Sequence, residues 1–158
     1  MASTKLELLL QVWQRLLHSF EEIDSDELRT LSESWERSLL QINQLLTAPE
    51  ARGARSSLIT GLEQGLREIP VFLSKLNPAI RPVAVQTYNR IVNECLDGFF
   101  EKDAQSLEKI IKRGRLVNER EWSLVRHWID LREGDETCQA TLLLFYKLID
   151  EYEAKKSV

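Results

Sequence analysis

Apolar residues return along this chain at steps of three and four, and no stretch alternates at period two for long enough to make a strand. The pattern predicts an all-α fold. A first helix over about residues 5–21 carries Leu6, Leu9, Trp13, Leu16 and Phe20, with Thr4 and Glu7 spaced as a capping box. A second, over about 25–47, opens with Asp24 and Glu27 in the same spacing and carries Leu28, Leu31, Trp35, Leu39, Ile42 and Leu46. The short link makes these two antiparallel neighbours. Pro49 to Arg55 reads as the longest surface loop. Leu62, Leu66, Ile69, Leu73 and Leu76 hold helical phase across Pro70, which predicts one kinked helix or two abutting ones over about 57–76.

Beyond Asn77-Pro78, Tyr88, Ile91, Cys95 and Phe99 define a fourth helix over about 82–100. Three shorter helices follow. The first spans about 104–113 behind an Asp103 cap, and the second spans about 119–133 and stops at Gly134. The last, over about 136–154, carries Cys138, Leu142, Phe145, Ile149 and Tyr152. Between the first two of these, Gly114 suits a left-handed helix stop, Asn118 and Glu121 a capping box, and Val117 and Trp122 a hydrophobic staple. The expected architecture is a single domain: one largely antiparallel bundle of six to seven helices, with four longer helices to about residue 100 and three C-terminal ones.

Composition narrows the function classes. With 158 residues, 43% hydrophobic and 29% charged, the chain has the makeup of one globular domain that needs no metal or disulfide staple. Its net charge of -4 argues against a nucleic-acid binder as a whole. Cys95 and Cys138 match no ligand or redox spacing, and a reducing cytoplasm is their simplest home. No signal-peptide layout and no membrane-length apolar run is present, so neither secretion nor a membrane partner is expected.

Catalytic and cofactor signatures are missing. There is no G-x-S-x-G, phosphate-binding loop, G-x-G-x-x-G or H-E-x-x-H, and the residues three before His18 and His127 are Arg15 and Leu124, which excludes a di-iron pattern. His18 reads as a helical ion pair with Glu21 or Glu22, and both cysteines as core thiols. The expectation is therefore no enzyme, no cofactor and no metal site. Gly61 and Gly65 have a small-xxx-small spacing that suits close packing within the fold or an oligomer contact.

Charge is distributed unevenly. Residues 1–47 hold eight acidic against four basic residues, whereas residues 104–133 hold seven basic against five acidic. Glu21 and Glu22 sit near the C-terminal end of the first helix, where carboxylates are unfavourable, while Asp24 and Asp26 precede or open the second helix, where they are favourable. Glu21, Glu22, Asp24 and Asp26 form the candidate acidic contact surface, and Arg113, Arg115 and Arg120 the candidate basic one. The basic region is a poor helix-turn-helix, because the position six after Gly114 is Arg120 where that motif needs an apolar residue.

The segment Leu107-Glu108-Lys109-Ile110-Ile111-Lys112-Arg113-Gly114-Arg115-Leu116, with Asn118-Glu119-Arg120-Glu121-Trp122 and Leu148-Ile149-Asp150-Glu151-Tyr152-Glu153, resembles a C-terminal segment of small uncharacterised bacterial helical proteins. Some of these are immunity or antitoxin components, and that resemblance implies a non-enzymatic domain. The first hundred residues resemble no named family. Together these readings favour a protein-binding domain of the immunity, antitoxin or adaptor kind that engages another, basic protein by surface complementarity. The alternative is a small regulatory domain that binds nucleic acid or an acidic partner through residues 104–133.

Overall fold

The structure, a computed structural model, describes residues 4–48 and 53–156, and among them every regular element is helical. The helices are α1 (Lys5–Glu21), α2 (Asp26–Thr47), α3 (Arg55–Leu73), α4 (Arg81–Cys95), α5 (Glu101–Arg113), α6 (Glu119–Arg132) and α7 (Gln139–Lys156), with a 3-10 turn at Glu136–Cys138. The expected loop at 49–55 falls largely on residues 49–52, outside the described residues. Contacts divide the chain into two compact units. The first comprises residues 1–69 and 87–97, and the second residues 70–86 and 98–158. The division thus falls inside α3 and α4 and not after the fourth helix.

In the first unit, the apolar stripe of α1 is buried along its whole length: Leu6, Leu9, Val12, Trp13, Leu16, Leu17 and Phe20. Thr4 caps it as expected, its hydroxyl accepting from the Glu7 amide at 3.2 Å. The cap of α2 differs from the expected Asp24. Ser25 takes the extended N-cap conformation and its hydroxyl accepts from the Leu28 amide at 3.3 Å, while Asp24 stays exposed. Leu28 is fully buried, and that inward placement sets the helical phase one residue later than the Asp24 spacing implied.

The indoles of Trp13 and Trp35 stack with centroids 3.8 Å apart, so α1 and α2 meet through aromatic faces. Gly65 of α3 makes room for them. A Cβ there would lie 2.7 Å from the Trp35 ring and 3.0 Å from the Trp13 ring, whereas a Cβ at Gly61 would meet nothing within 4 Å. Only one glycine of the pair therefore serves close approach, and its neighbours are side chains of this same unit. The Trp13 indole also donates to the buried Leu62 carbonyl at 3.1 Å.

Pro70 lies inside α3, which runs on as a single helix to Leu73. A proline has no amide hydrogen, so the carbonyl four residues earlier, that of Leu66, loses its helical donor. The Tyr88 hydroxyl of α4 supplies the replacement, donating to the Leu66 carbonyl at 2.6 Å in a fully buried setting. This bond meets the requirement that a buried backbone acceptor be satisfied, and it pins α4 to α3.

In the second unit, Leu107, Ile110, Leu116, Val125, Ile129, Leu142, Phe145, Leu148 and Ile149 form the core, with Trp122, Trp128 and Tyr152 packed against it. The helices α6 and α7 are antiparallel, because their cross-pairs run in opposite senses: Lys156 bonds Glu119, the Trp122 indole donates to Glu153 at 3.1 Å, and Trp128 meets Phe145 edge-on at 4.9 Å. Gly114 adopts φ 79° and its amide donates to the Ile110 carbonyl at 2.8 Å, so α5 ends on the left-handed stop read from sequence. Asn118 caps α6, accepting from the Glu121 amide at 2.9 Å.

Two local expectations are corrected here. The Val117–Trp122 staple gives way to Leu116, which is buried in the core while Val117 stays 50% exposed. The Glu121 carboxylate holds this turn, accepting from the Val117 amide at 3.0 Å and from Arg113. The second correction concerns α5, which starts at Glu101 with no side-chain cap, not behind Asp103. Gly98 at φ 73° turns the chain after α4, which ends at Cys95, so α5 begins early with Glu101 and Asp103 inside its first turn, where they complement the helix dipole.

Two stability measurements check this packing. Gly65→Ala is expected to destabilise the protein by about 1–3 kcal/mol through overpacking against the indole stack, whereas Gly61→Ala, free of neighbours, stabilises it by up to about 1 kcal/mol through helix propensity; equal effects in urea unfolding would refute the assignment. Tyr88→Phe should cost about 1–3 kcal/mol by stranding the Leu66 carbonyl. In a Pro70→Ala background, where residue 70 regains its amide hydrogen, that cost should fall markedly, and a double-mutant cycle without coupling would exclude the exchange of donors.

Candidate partner-binding surface

Glu21 closes the last turn of α1 and is exposed, Glu22 caps that helix, Asp24 lies in the link, and Asp26 opens α2. The structure treats these four residues differently. Glu22 pairs with His18 at 3.5 Å, the helical pair anticipated for that histidine, and Asp26 pairs with Arg29 at 2.9 Å. The Asp26 carboxylate is thus partly neutralised by a neighbour on its own helix. Glu21 instead meets the Glu36 carboxyl of α2. That hydrogen bond raises Glu36 above the ordinary carboxylate range, and desolvation followed by the charges of Glu21 and Glu33 push in the same direction.

Around this pair, Glu33, Glu36, Arg37 and Leu40 line a shallow surface depression on α2. Leu40 is 60% exposed. Their spacing of i, i+3, i+4 and i+7 places them on one helical stripe. Sequence reasoning counted Glu33 and Glu36 as charges but did not join them to Glu21. The available signal was the stripe itself, which contains one leucine on the polar side of an otherwise regular amphipathic helix.

The basic residues lie in the second unit and are not equivalent. Arg113 bonds Glu121 and also donates from Nε to the Arg115 carbonyl at 3.1 Å, so its guanidinium closes the α5–α6 turn. Arg115 and Arg120 are exposed and make no ion pair among the described residues. The structure therefore leaves two of the three arginines facing solvent.

A buried polar stripe on α6 was not anticipated. Ser123, His127 and Asp130, at i, i+4 and i+7, are all buried. Asp130 accepts from Arg81 Nε at 2.7 Å, and Arg126 approaches its other oxygen at 3.8 Å. Burial raises the Asp130 carboxyl above its usual range against the opposing pull of Arg81 and then Arg126. Arg81 opens α4, so this ion pair fixes the start of α4 against α6 within the second unit. Burial also lowers His127 to about 4, which keeps the imidazole neutral at pH 7.

Cys95 and Cys138 are both free thiols. The Cys95 sulfur accepts from Arg15 at 3.0 Å, and the same guanidinium pairs with Glu94 at 2.7 Å. Among the described residues, no three His, Cys, Asp or Glu side chains group as metal ligands, and no helix is long and apolar enough to cross a membrane. No protein family, curated protein or solved structure matches the chain.

The histidine yields a signed pH prediction. Between about pH 6.5 and 4 the unfolded chain binds a proton at His127 that the folded chain refuses, so this residue makes stability fall as pH falls, by up to about 1.4 kcal/mol per pH unit. Asp130 has the opposite sign, since its raised value lets the folded state take up a proton first. His127→Gln removes the histidine contribution and leaves Asp130 in place. Relative to wild type, the variant should gain about 2 kcal/mol between pH 7 and pH 5 in urea unfolding, and a pH-independent difference would contradict the buried neutral imidazole.

Proposed function

We propose that the chain is a non-enzymatic protein-binding domain of the immunity, antitoxin or adaptor kind, which engages a basic partner protein in a cytoplasmic setting through the acidic surface where α1 ends and α2 begins. The observation that carries this reading is the Glu21–Glu36 carboxyl contact beside the exposed Leu40. Like charges brought together at the negative end of a helix oppose folding, and Leu40 beside them, 60% exposed, gains little from the fold. Both become favourable when a cationic, partly apolar surface covers them. Acidic residues around the patch also speed the encounter with a positively charged protein. The resemblance of the C-terminal segment to small bacterial helical proteins, some of them immunity or antitoxin components, agrees with this assignment.

The reading is tested by recovery of the tagged full chain from its native cells. A stoichiometric basic protein should accompany wild type and be reduced at least about tenfold by Glu21→Lys combined with Asp24→Lys, a loss of about 1.4 kcal/mol or more. Circular dichroism should show the variant still helical. Recovery unchanged by the reversals, or loss of the partner only with Arg115→Glu and Arg120→Glu, would replace this reading with one centred on the basic region.

A further inference from the structure

The later part of α2 is only lightly covered by its own unit. Its buried residues are Leu28, Ser32 and Leu39, and beyond Leu39 none is buried. The outward stripe Glu33, Glu36, Arg37 and Leu40 is exposed throughout. Arg37 makes no ion pair among the described residues, although Glu33 stands four residues before it in the orientation that favours a helical salt bridge. Glu36 is turned to Glu21 instead, leaving three carboxylates and one arginine around an uncovered leucine.

The chemistry of this stripe selects among occupants. A divalent cation would need grouped ligands, and no such group occurs among the described residues. A second copy would set one net-negative stripe against another, and an anionic lipid surface would be repelled in the same way. A cationic protein segment satisfies the stripe, and the i, i+3, i+4, i+7 spacing matches the face that one helix presents to another. Resting on the partner-binding reading above, we infer that this face of α2 docks a basic amphipathic helix of the partner. That helix packs an apolar side chain on Leu40, directs Lys or Arg toward Glu36 with Glu21 and toward Glu33, and offers an acidic group to Arg37.

The probe is a synthetic helical peptide of Leu, Ala and Lys with apolar residues at i, i+3 and i+4 spacing, compared with its counterpart carrying Glu for Lys. Titrated into the full chain, the basic peptide should bind saturably and the acidic one should not. Affinity should fall about tenfold in Glu33→Lys with Glu36→Lys, and several-fold in Leu40→Ser. Glu68→Lys, half that charge change placed on exposed α3 surface, should leave it within about twofold. Absence of binding, an equal response to Glu68→Lys, or indifference to Leu40→Ser overturns the inference. Because Leu40 is exposed, its replacement leaves the core intact, and helical content checks this directly. A peptide failure alongside a native partner still lost on Glu21→Lys with Asp24→Lys discards only the α2 face. Specific peptide binding with no native partner recovered discards only the functional reading.

Discussion

Pro70 deprives the Leu66 carbonyl of its helical donor, and the organisation of the first unit depends on how that acceptor is satisfied. The Tyr88 hydroxyl reaches it from α4 at 2.6 Å, so a local defect in one helix becomes a directed bond to another. One turn earlier on α3, the Leu62 carbonyl takes the Trp13 indole of α1. Thus α3 receives α1 and α4 through its own backbone acceptors, four residues apart. Gly65, between those acceptors, then admits the Trp13–Trp35 stack and with it α2. Four helices are placed by two polar bonds and one missing side chain, and the apolar stripes fill the space that remains.

The second unit is held differently. Its turns and helix ends use charge: Arg113 and Glu121 close the α5–α6 junction, Lys156 and Glu119 join the far ends of α6 and α7, and Arg81 reaches the buried Asp130. Of the basic residues over 104–133 only Arg113 is in these pairs, whereas Arg81 and Lys156 lie outside that stretch and neutralise its acids Asp130 and Glu119. Their energetic weights differ, since exposed pairs contribute little, whereas loss of Arg81 would leave a carboxylate that is 2% exposed with only the longer contact to Arg126. Arg115 and Arg120 stand outside this arrangement and, like Lys109, Lys112 and Arg132, are exposed.

Helix positions were largely legible because amphipathic spacing and glycine stops are local properties. The bounds of α1, the Thr4 and Asn118 caps and the Gly114 and Gly134 stops all follow from residues within a turn or two of each other. What escaped depended on contacts between distant residues. Leu116 replaced Val117 because Glu121 anchors the turn, and Ser25 replaced Asp24 because Leu28 had to face inward. The buried Ser123–His127–Asp130 stripe was invisible because polar residues carry no periodic hydrophobic signal, and only Arg81, 49 residues away, makes sense of Asp130. Of the candidate contact surface, Glu21 was legible as a carboxylate at the wrong end of a helix. Its meeting with Glu36 required the α1–α2 hairpin.

That meeting separates the acidic surface from an ordinary solvated helix face. Asp26 shows how such a face normally resolves its charge, by pairing with Arg29 three residues on along the same helix. The same option is open to Glu33 with Arg37, and the structure does not take it. Instead Glu36 is turned to Glu21 across the hairpin, and that carboxylate neighbour, followed by desolvation, holds Glu36 above the ordinary carboxylate range. A cation placed between them would offset the repulsion between the two carboxylates. Whatever supplies that cation therefore binds the folded hairpin in preference to the unfolded chain, and by linkage stabilises it. On the proposed partner-binding reading, the acidic end of the hairpin is therefore the place on the first unit where binding and folding stability would be most directly coupled.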